Sequence, residues 1–389
     1  RIARARIAAI EAPAEPASPL RCGAVGERIR YHDAARTALQ RLLDKVYNPD
    51  KLDPAIVDEM NDPRMEQARE WAGRMLAWTE FDFEPASADA SFRRYFRASR
   101  GGRTAIVMDA PPEAEPLAPF IDVQRRLAEA GIHVPRIHAE DRPGGLRVVG
   151  GFGAGPWRPV LTVVNAAPML DDAGDARVKM QTRTDSNGLP DYDAGLLLAE
   201  LSLFPDWFLA RHWRVEPTET ELDDWELVCM TLIRWALDQP RVFCHRDFMP
   251  RNLMISDPNP GIIDFQDAVA GPISYDPVCL FRDAFLSWEA GFVDDRLERY
   301  RTQAADAGVP VPDDPELWRR TCDLMGAQRY LKVLGVFARI RYRDGKARYL
   351  EDEPRFIAYL GQAIARNPEL QPLDALLKIW RARAAPLET

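Results

Sequence analysis

The sequence has few of the residues that build disulfide frameworks and zinc sites. Its 389 residues include five cysteines and five histidines, and no two cysteines form a C-x-x-C pair. Scattered cysteines of this kind are typical of reduced, mostly buried thiols in a cytosolic enzyme. Cys244 adjoins His245. Because no second histidine stands near it to activate the thiol, we expect Cys244 to be a packed small residue rather than a nucleophile.

Long apolar runs are also missing. No stretch approaches the ~20 apolar residues that a membrane span needs, and residues 1–20 lack the apolar core of a secretory signal. These absences favour a cytoplasmic protein. The net charge is −9, and the basic residues are interleaved with acidic ones instead of forming the basic stripe of a nucleic-acid surface. We therefore expect no membrane partner and no nucleic-acid partner.

Two common glycine-rich nucleotide-binding loops are absent as well. Nothing matches the P-loop pattern G-x-x-x-x-G-K-[ST]. The cluster at Gly150, Gly151, Gly153 and Gly155 is not G-x-G-x-x-G, because Pro156 occupies the third glycine position. We interpret this segment as an irregular connection between two lobes.

What the sequence does contain is a strand-rich region followed by a helical one. Residues 1–64 are interpreted as a peripheral N-terminal extension of unknown function, 65–150 as a small β-rich lobe, 151–190 as an irregular hinge or linker, and 191–389 as a larger helical lobe. Strands first and helices later indicate an α+β protein with two lobes.

Local patterns place the main elements. Ser91–Ala98 and Thr104–Met108 form a predicted hairpin around Gly101 and Gly102. Apolar periodicity then predicts a series of helices. They are Glu66–Trp78, Leu117–Ala130, Tyr192–Trp213, Glu221–Leu237, Val278–Trp288, Asp294–Ala307, Pro315–Ile340, Pro354–Ala365 and Leu373–Ala384.

One segment, His245 to Asp264, carries the chemistry. Asp247 lies two residues after His245 and five before Asn252, which is the spacing H-x-D-x-x-x-x-N of a kinase catalytic loop. A carboxylate at the position of Asp247 can orient a hydroxyl and accept its proton during phosphoryl transfer. His245 itself is interpreted as a packing and hydrogen-bonding residue.

A predicted hairpin follows the loop. Leu253–Ile255 and Gly261–Ile263 are short apolar strands around a dense turn signal. We predict an antiparallel register in which Leu253 faces Ile263 and Asn252 faces Asp264. An amide oxygen and a carboxylate at one edge of a ribbon suit Mg²⁺, which shares its ligand shell with waters and nucleotide phosphates.

Asp276 precedes another helix, in Gly271–Pro277. It either caps that helix or braces the catalytic loop through hydrogen bonds, and we favour bracing.

The motif from His245 to Asn252 with Asp264 resembles the aminoglycoside phosphotransferase and choline kinase superfamily. Longer strings resemble one branch of it, the bacterial kinases that phosphorylate the anomeric hydroxyl of N-acetylmuramate and N-acetylglucosamine in cell-wall recycling. These strings are Ser87–Phe96, Val107–Pro112, Leu203–Phe208, Asp264–Asp283, Gln328–Gly335 and Arg341–Lys346. The resemblance covers roughly residues 65–385.

The resemblance implies a bilobal protein-kinase-like fold and a specific division of roles. Asp247 would be the catalytic carboxylate, and Asn252 and Asp264 would hold Mg²⁺. ATP and an amino sugar would be the substrates. The turn and strand from Ser87 to Arg94 would cover the nucleotide phosphates, through Ser87, Ser91, Arg93 and Arg94.

Two departures from the superfamily pattern stand out. The third strand offers no lysine near Met108 to hold the α- and β-phosphates, so Arg93, Arg94 or Arg97 is expected to supply that cation. The stretch from Arg147 to Arg177 diverges from the acidic, apolar hinge strand of the superfamily.

Several points stay open at this stage. Two alternatives are another small alcohol as the acceptor, such as an aminoglycoside or choline, and a protein that binds nucleotide without catalysis. A choline cage would need aromatic side chains such as Trp207, Phe208, Trp213 and Trp288, for which helix packing is the favoured interpretation. Candidate acceptor contacts are Arg251, Asp267 and Arg282. The oligomeric state is not predicted.

Overall fold

The computed structural model describes residues 62–87, 93–111, 118–152 and 155–385. They divide into two compact units. The sheet unit consists of the described residues up to Leu161 together with Pro250–Asp267, and the helical unit consists of Thr162–Met249 and the described residues from Ala268 onward. The predicted extension, residues 1–64, lies outside the described residues except for its last three.

The elements follow the predicted order of strands and then helices. The first part of the chain contains α1 (Pro63–Leu76), β1 (Asp82–Ser87), β2 (Arg94–Arg100), β3 (Arg103–Asp109), α2 (Ala118–Glu129), β4 (Ile137–Asp141) and β5 (Leu146–Gly150). The rest contains α3 (Ala166–Arg183), α4 (Ala194–Leu203), a π-helical segment (Phe204–Trp213), α5 (Glu219–Leu237), β6 (Arg241–Cys244), a 3-10 turn (Pro250–Asn252), β7 (Leu253–Met254), β8 (Gly261–Ile262), β9 (Val269–Pro272), α6 (Tyr275–Phe281), α7 (Ala290–Asp306), α8 (Pro315–Asp344), a 3-10 turn (Ala347–Asp352), α9 (Glu353–Arg366), a 3-10 turn (Pro368–Leu370) and α10 (Gln371–Arg383). The predicted α+β fold, with a small β-rich part and a larger helical part, is confirmed.

The sheet unit is built on a five-stranded antiparallel sheet of order β1-β2-β3-β5-β4. Gly101 and Gly102 join β2 to β3 with φ angles of 55° and 75°, a pair of left-handed residues that suits a tight hairpin. Alternate residues of the strands bury one face of the sheet against Trp71 of α1. The helix α1 begins three residues before its predicted start, because Asp62 accepts hydrogen bonds from the N–H groups of Arg64 and Met65.

The hairpin β7–β8 also belongs to the sheet unit, and its register differs from the predicted one. Leu253 pairs with Ile262, not Ile263, and Met254 pairs with Gly261. The prediction was therefore wrong by one residue. Strands of two residues carry too little alternation to determine a register from sequence.

The glycine-rich segment before residue 161 packs on this hairpin. Trp157 is fully buried, and its backbone N–H donates to Leu253 O at 2.8 Å. The N–H of Ile255 donates to Gly155 O at 2.9 Å, and Phe152 covers Gly261 so closely that an added Cβ would lie 2.8 Å from its ring. The part of this segment at 155–157 is thus held by ladder-like hydrogen bonds, although the sequence predicted an irregular linker.

The prediction of an irregular linker over 151–190 is also wrong at Ala166–Arg183, which is the helix α3. The sequence predicted no helix there because the preceding residues are rich in glycine and proline, which are typical of irregular segments. The helix buries Ala166, Leu170, Ala173 and Arg177, which lie three or four residues apart.

The helical unit centres on α8, which the sequence predicted from Pro315 to Ile340. It begins at Pro315, after the cap residue Asp314, and ends before Gly345, whose φ is 70°. Gly335 lies against the backbone of Leu203, at the end of α4. A two-stranded antiparallel pair, β6–β9, leads directly into the catalytic loop. Among the described residues, no helix is both long and apolar enough to cross a membrane.

Candidate active site

The first part of the catalytic loop, residues 245–249, follows β6 within the helical unit. His245 is fully buried, and Arg246 adopts a left-handed conformation with φ of 73°, which is uncommon for a residue other than glycine. The carboxylate of Asp276 accepts hydrogen bonds from the N–H of His245 at 2.7 Å and from the N–H of Arg246 at 2.9 Å. The loop that carries Asp247 is therefore held by its backbone.

Asp276 is itself held by a buried cation. Arg177 Nη2 lies 3.0 Å from Asp276 Oδ2, and neither side chain is exposed to solvent. Burying a carboxylate requires such compensation, because an unpaired charge in a protein interior is costly. The side chain of Asp276 thus contacts the catalytic loop, as in the bracing interpretation.

A second buried carboxylate, that of Glu200, contacts the catalytic loop. The carboxylate of Glu200 accepts hydrogen bonds from Arg246 Nη2 at 2.6 Å, Lys332 Nζ at 2.7 Å and Gln328 Nε2 at 3.1 Å, and from the hydroxyl of Tyr192. Burial alone would raise the pKa of Glu200, but Lys332 and Arg246 lower it to about 2. We call these five residues the Glu200 cluster. Sequence analysis missed it, although Gln328 and Lys332 stand four residues apart, on one face of α8.

The metal-binding candidates lie in the sheet unit, at the end of the β7–β8 hairpin. Asn252 Nδ2 donates to Asp264 Oδ2 at 3.2 Å, and Gln266 Nε2 donates to Asp264 Oδ1 at 2.9 Å. Gln266 Nε2 also reaches Asp267 Oδ2 at 3.3 Å. Asp264 has a φ of 65°. The structure therefore brings Asn252 and Asp264 together, despite the difference in register.

The donor set of this pair fits Mg²⁺. Asn252 donates through Nδ2, and its amide oxygen is the atom that can act as a ligand beside the carboxylate of Asp264. These are hard oxygen donors, and Mg²⁺ is characteristically held by one or two carboxylates with waters and phosphates completing the octahedron. Asn252 and Asp264 could therefore hold the ion.

The structure describes three of the four predicted nucleotide-binding residues. Ser87 ends β1 and Arg93 immediately precedes β2, whereas Ser91 lies outside the described residues. Arg94 Nη2 lies 2.7 Å from Asp109 Oδ2, and Arg94 also pairs with Asp62. The guanidinium of Arg94 is thus engaged by two carboxylates of the sheet unit.

A cation that sequence analysis did not select lies on the same sheet. Arg147 of β5 pairs opposite Met108 of β3, where the sequence offers no lysine. Its side chain is fully buried, with the guanidinium carbon 5.0 Å from the ring centroid of Phe120. Burial lowers the pKa of Arg147 to about 10. Sequence analysis did not select Arg147, because it lies in the stretch that diverges from the superfamily pattern.

The three candidate acceptor contacts differ in their surroundings. Arg282 is mostly buried and donates to Asp323 Oδ1 at 2.6 Å and to Cys322 O at 3.1 Å. Arg251 is half-buried in the 3-10 turn Pro250–Asn252, and Asp267 is the residue that Gln266 contacts.

Aromatic side chains considered for a choline cage pack within the helical unit. Phe208 and Trp213 are buried, with ring centroids 4.8 Å apart, and Trp288 contacts Phe292. Cys244 is also fully buried, and burial raises the pKa of its thiol. A buried, protonated thiol is a poor nucleophile.

Comparison with known proteins defines the class. The profile of the phosphotransferase enzyme family matches residues 82–318, and the chain belongs to that family. Its relatives include proteins named N-acetylmuramate/N-acetylglucosamine kinase. The one from Pseudomonas aeruginosa is 49% identical over 327 residues, covering 82% of this chain and 97% of its own length. The one from Neisseria meningitidis is 40% identical over 320 residues, covering 81% and 95%. The predicted membership and the likeness to amino-sugar kinases are confirmed.

Solved structures agree on the fold. An ADP-bound aminoglycoside phosphotransferase, APH(2'')-Ib, matches with a TM-score of 0.52 at 14% identity, over 78% of this chain and 98% of that one. The choline kinase LicA from Streptococcus pneumoniae matches with a TM-score of 0.51 at 13% identity, over 78% and 98%. The predicted kinase-like fold is therefore confirmed, and the protein is a phosphotransferase.

Proposed function

We propose that the protein transfers the γ-phosphoryl group of ATP to the anomeric C1 hydroxyl of N-acetylmuramate or N-acetylglucosamine, giving the sugar 1-phosphate and ADP. The observation that carries the proposal is the 49% identity to a kinase named for both sugars, over 97% of that kinase. The motif residues Asp247, Asn252 and Asp264 are all present in this chain, which supports a catalytic rather than a silent protein.

Asp247 is the proposed catalytic carboxylate. The C1 oxygen attacks the γ-phosphorus while the bond from that phosphorus to the β,γ-bridging oxygen breaks, and the hydroxyl proton passes to Asp247. Because most of the barrier in phosphoryl transfer is lowered by positioning and charge, the loop must present this carboxylate in a fixed place. Asp276 supports that placement through the N–H groups of His245 and Arg246.

Asn252 and Asp264 are the proposed ligands of Mg²⁺, which when bound neutralises charge on the nucleotide phosphates. Gln266 orients the carboxylate of Asp264 by donating to its other oxygen. The phosphates are proposed to lie near Ser87, Ser91 and Arg93. Arg94 remains a candidate there, although its guanidinium already binds Asp109.

The test is to incubate purified protein with Mg²⁺-ATP and each of four acceptors: N-acetylmuramate, N-acetylglucosamine, choline and kanamycin. We expect a phosphorylated product, detected by mass, from the two sugars only. Asp247→Asn should lower the rate by on the order of 10²–10⁴-fold, whereas Asp238→Asn, an exposed carboxylate after α5, should leave it unchanged. Product from choline or kanamycin alone would overturn the proposed acceptor, and nucleotide binding without product from any acceptor would indicate a silent protein.

A further inference from the structure

The Glu200 cluster has one carboxylate and two cations. Arg246 and Lys332 both donate to Glu200, and the carboxylate of Asp247 is a second negative charge that acts on both cations. The side chain of Glu200 is 6% exposed, and those of Arg246 and Lys332 are each 18% exposed. In such a weakly solvated place, water screens the attraction between the ammonium of Lys332 and an anionic ligand only weakly.

Lys332 is linked to the catalytic loop through Glu200. It shares Glu200 with Arg246, and Arg246 is the residue before Asp247 in the loop. Burial alone would lower the pKa of Lys332, but Glu200 and, to a smaller degree, Asp247 hold it above its ordinary value. The ammonium of Lys332 therefore keeps its positive charge at neutral pH.

Within the described residues, the ammonium of Lys332 has two acceptors. Nζ donates to Glu200 Oε1 at 2.7 Å and to the hydroxyl of Tyr275 at 2.9 Å. An ammonium has three donors. Because the lysine side chain keeps some exposure, its remaining donor can serve a ligand.

Resting on the proposed function, we propose that Lys332 binds the carboxylate of N-acetylmuramate and determines how strongly this sugar is preferred. N-acetylmuramate is N-acetylglucosamine with a lactyl ether on O3, so the two acceptors differ by the lactyl group and the one carboxylate that it carries. A charge-assisted hydrogen bond from Lys332 recognises that group. When the neutral sugar binds, Glu200 still pairs with Lys332, so no cation is left uncompensated. One site can then accept both sugars.

The experiment compares three acceptors: N-acetylmuramate, its neutral lactyl methyl ester and N-acetylglucosamine. In the wild type, kcat/KM for the acid should exceed that for the ester by about 10–100-fold, the range expected for a hydrogen bond to a charged group. Lys332→Met should lower kcat/KM for all three and reduce the acid-to-ester ratio at least about tenfold, mainly through KM for the acid. Lys332→Arg should restore most of the ratio, and Lys378→Met, an exposed lysine on α10, should leave it as in the wild type.

Equal kcat/KM for the acid and the ester in the wild type would overturn the role of Lys332 without any variant. A parallel loss on all three acceptors in Lys332→Met, with the ratio kept within about twofold, would assign Lys332 only to supporting Glu200. If the wild type phosphorylates neither sugar, the proposed function fails and this proposal with it. Phosphorylation of both sugars without discrimination overturns this proposal alone.

Discussion

Asn252 donates a hydrogen bond from Nδ2 to Asp264 Oδ2 at 3.2 Å, across a hairpin whose register would not by itself make them partners. The N–H of Ile263 donates to Asn252 O at 3.1 Å, and Asp264 then takes a left-handed conformation with φ of 65°. Such a backbone costs on the order of 1–3 kcal/mol in a residue other than glycine and persists where the surroundings enforce it. The two candidate metal ligands therefore meet because the backbone turns at Asp264, two residues after β8 ends.

Asp264→Asn should weaken the binding of Mg²⁺, because the substitution removes the only formal charge from the pair Asn252 and Asp264. We expect kcat to fall on the order of 100-fold and the half-saturating Mg²⁺ concentration to rise at least about tenfold. The measurement is initial rate against Mg²⁺ at fixed ATP. Asp257→Asn, an exposed carboxylate in the turn of the same hairpin, is the matched control. An unchanged Mg²⁺ dependence in Asp264→Asn would remove Asp264 from the proposed ligand set.

Asp276→Ala should destabilise the helical unit, because it leaves Arg177 buried without its carboxylate and the N–H groups of His245 and Arg246 without their acceptor. The expected loss is about 3–5 kcal/mol of unfolding free energy, measured by urea denaturation. The double variant Arg177→Met/Asp276→Ala should lose less than the sum of the two single variants. A loss below about 1 kcal/mol in Asp276→Ala would contradict this account of the loop.

Replacement of glycine by alanine should have opposite effects on the free energy of unfolding at two positions in neighbouring helices. In Gly335→Ala the new Cβ would lie 2.4 Å from the carbonyl carbon of Leu203, so the helices α4 and α8 must separate. We expect a loss of about 1–3 kcal/mol by thermal or urea unfolding. Gly361 of α9 has no atom within 4 Å of its added Cβ, and Gly361→Ala should gain about 0.5–1 kcal/mol from helix propensity. Equal effects at both positions would contradict the close packing of α4 on α8.

Stability at acid pH should depend on Glu200. Its pKa is about 2 in the folded protein against an ordinary value of 4.5, so the ionised carboxylate contributes fully above pH 4.5 and its contribution disappears as the pH falls toward 2. The difference in unfolding free energy between the wild type and Glu200→Gln should therefore shrink by up to about 3 kcal/mol across that window. Urea denaturation at pH 6, 4 and 3 measures it. A constant difference would show that Glu200 is not held ionised by its cations.

Much of the fold was predictable because its signals are local. The helix α8 was predicted from Pro315, and the structure starts it at that residue, since Asp314 and Pro315 form a standard helix start. The catalytic loop was equally local, because the spacing from His245 to Asn252 is set within one short stretch of chain. Elements of this kind are encoded by neighbouring residues.

What could not be predicted depends on distant residues. Lys332 lies 132 positions from Glu200, and no local pattern joins them. The register of β7 and β8 rests on two residues in each strand, and Asp264 meets Asn252 through a backbone conformation that sequence does not reveal. Arg147 was hidden in a stretch that diverges from the superfamily pattern. Tertiary contacts decided each of these features.

The most direct test of the account locates the phosphate on the product. Wild-type protein is incubated with Mg²⁺-ATP and N-acetylglucosamine labelled with ¹³C at C1, and the product is examined by ¹³C and ³¹P NMR. Phosphoryl transfer to the anomeric oxygen predicts a ¹³C–³¹P coupling at C1 and a product without a reducing end. A phosphate on another oxygen, with the reducing end intact, would contradict the account.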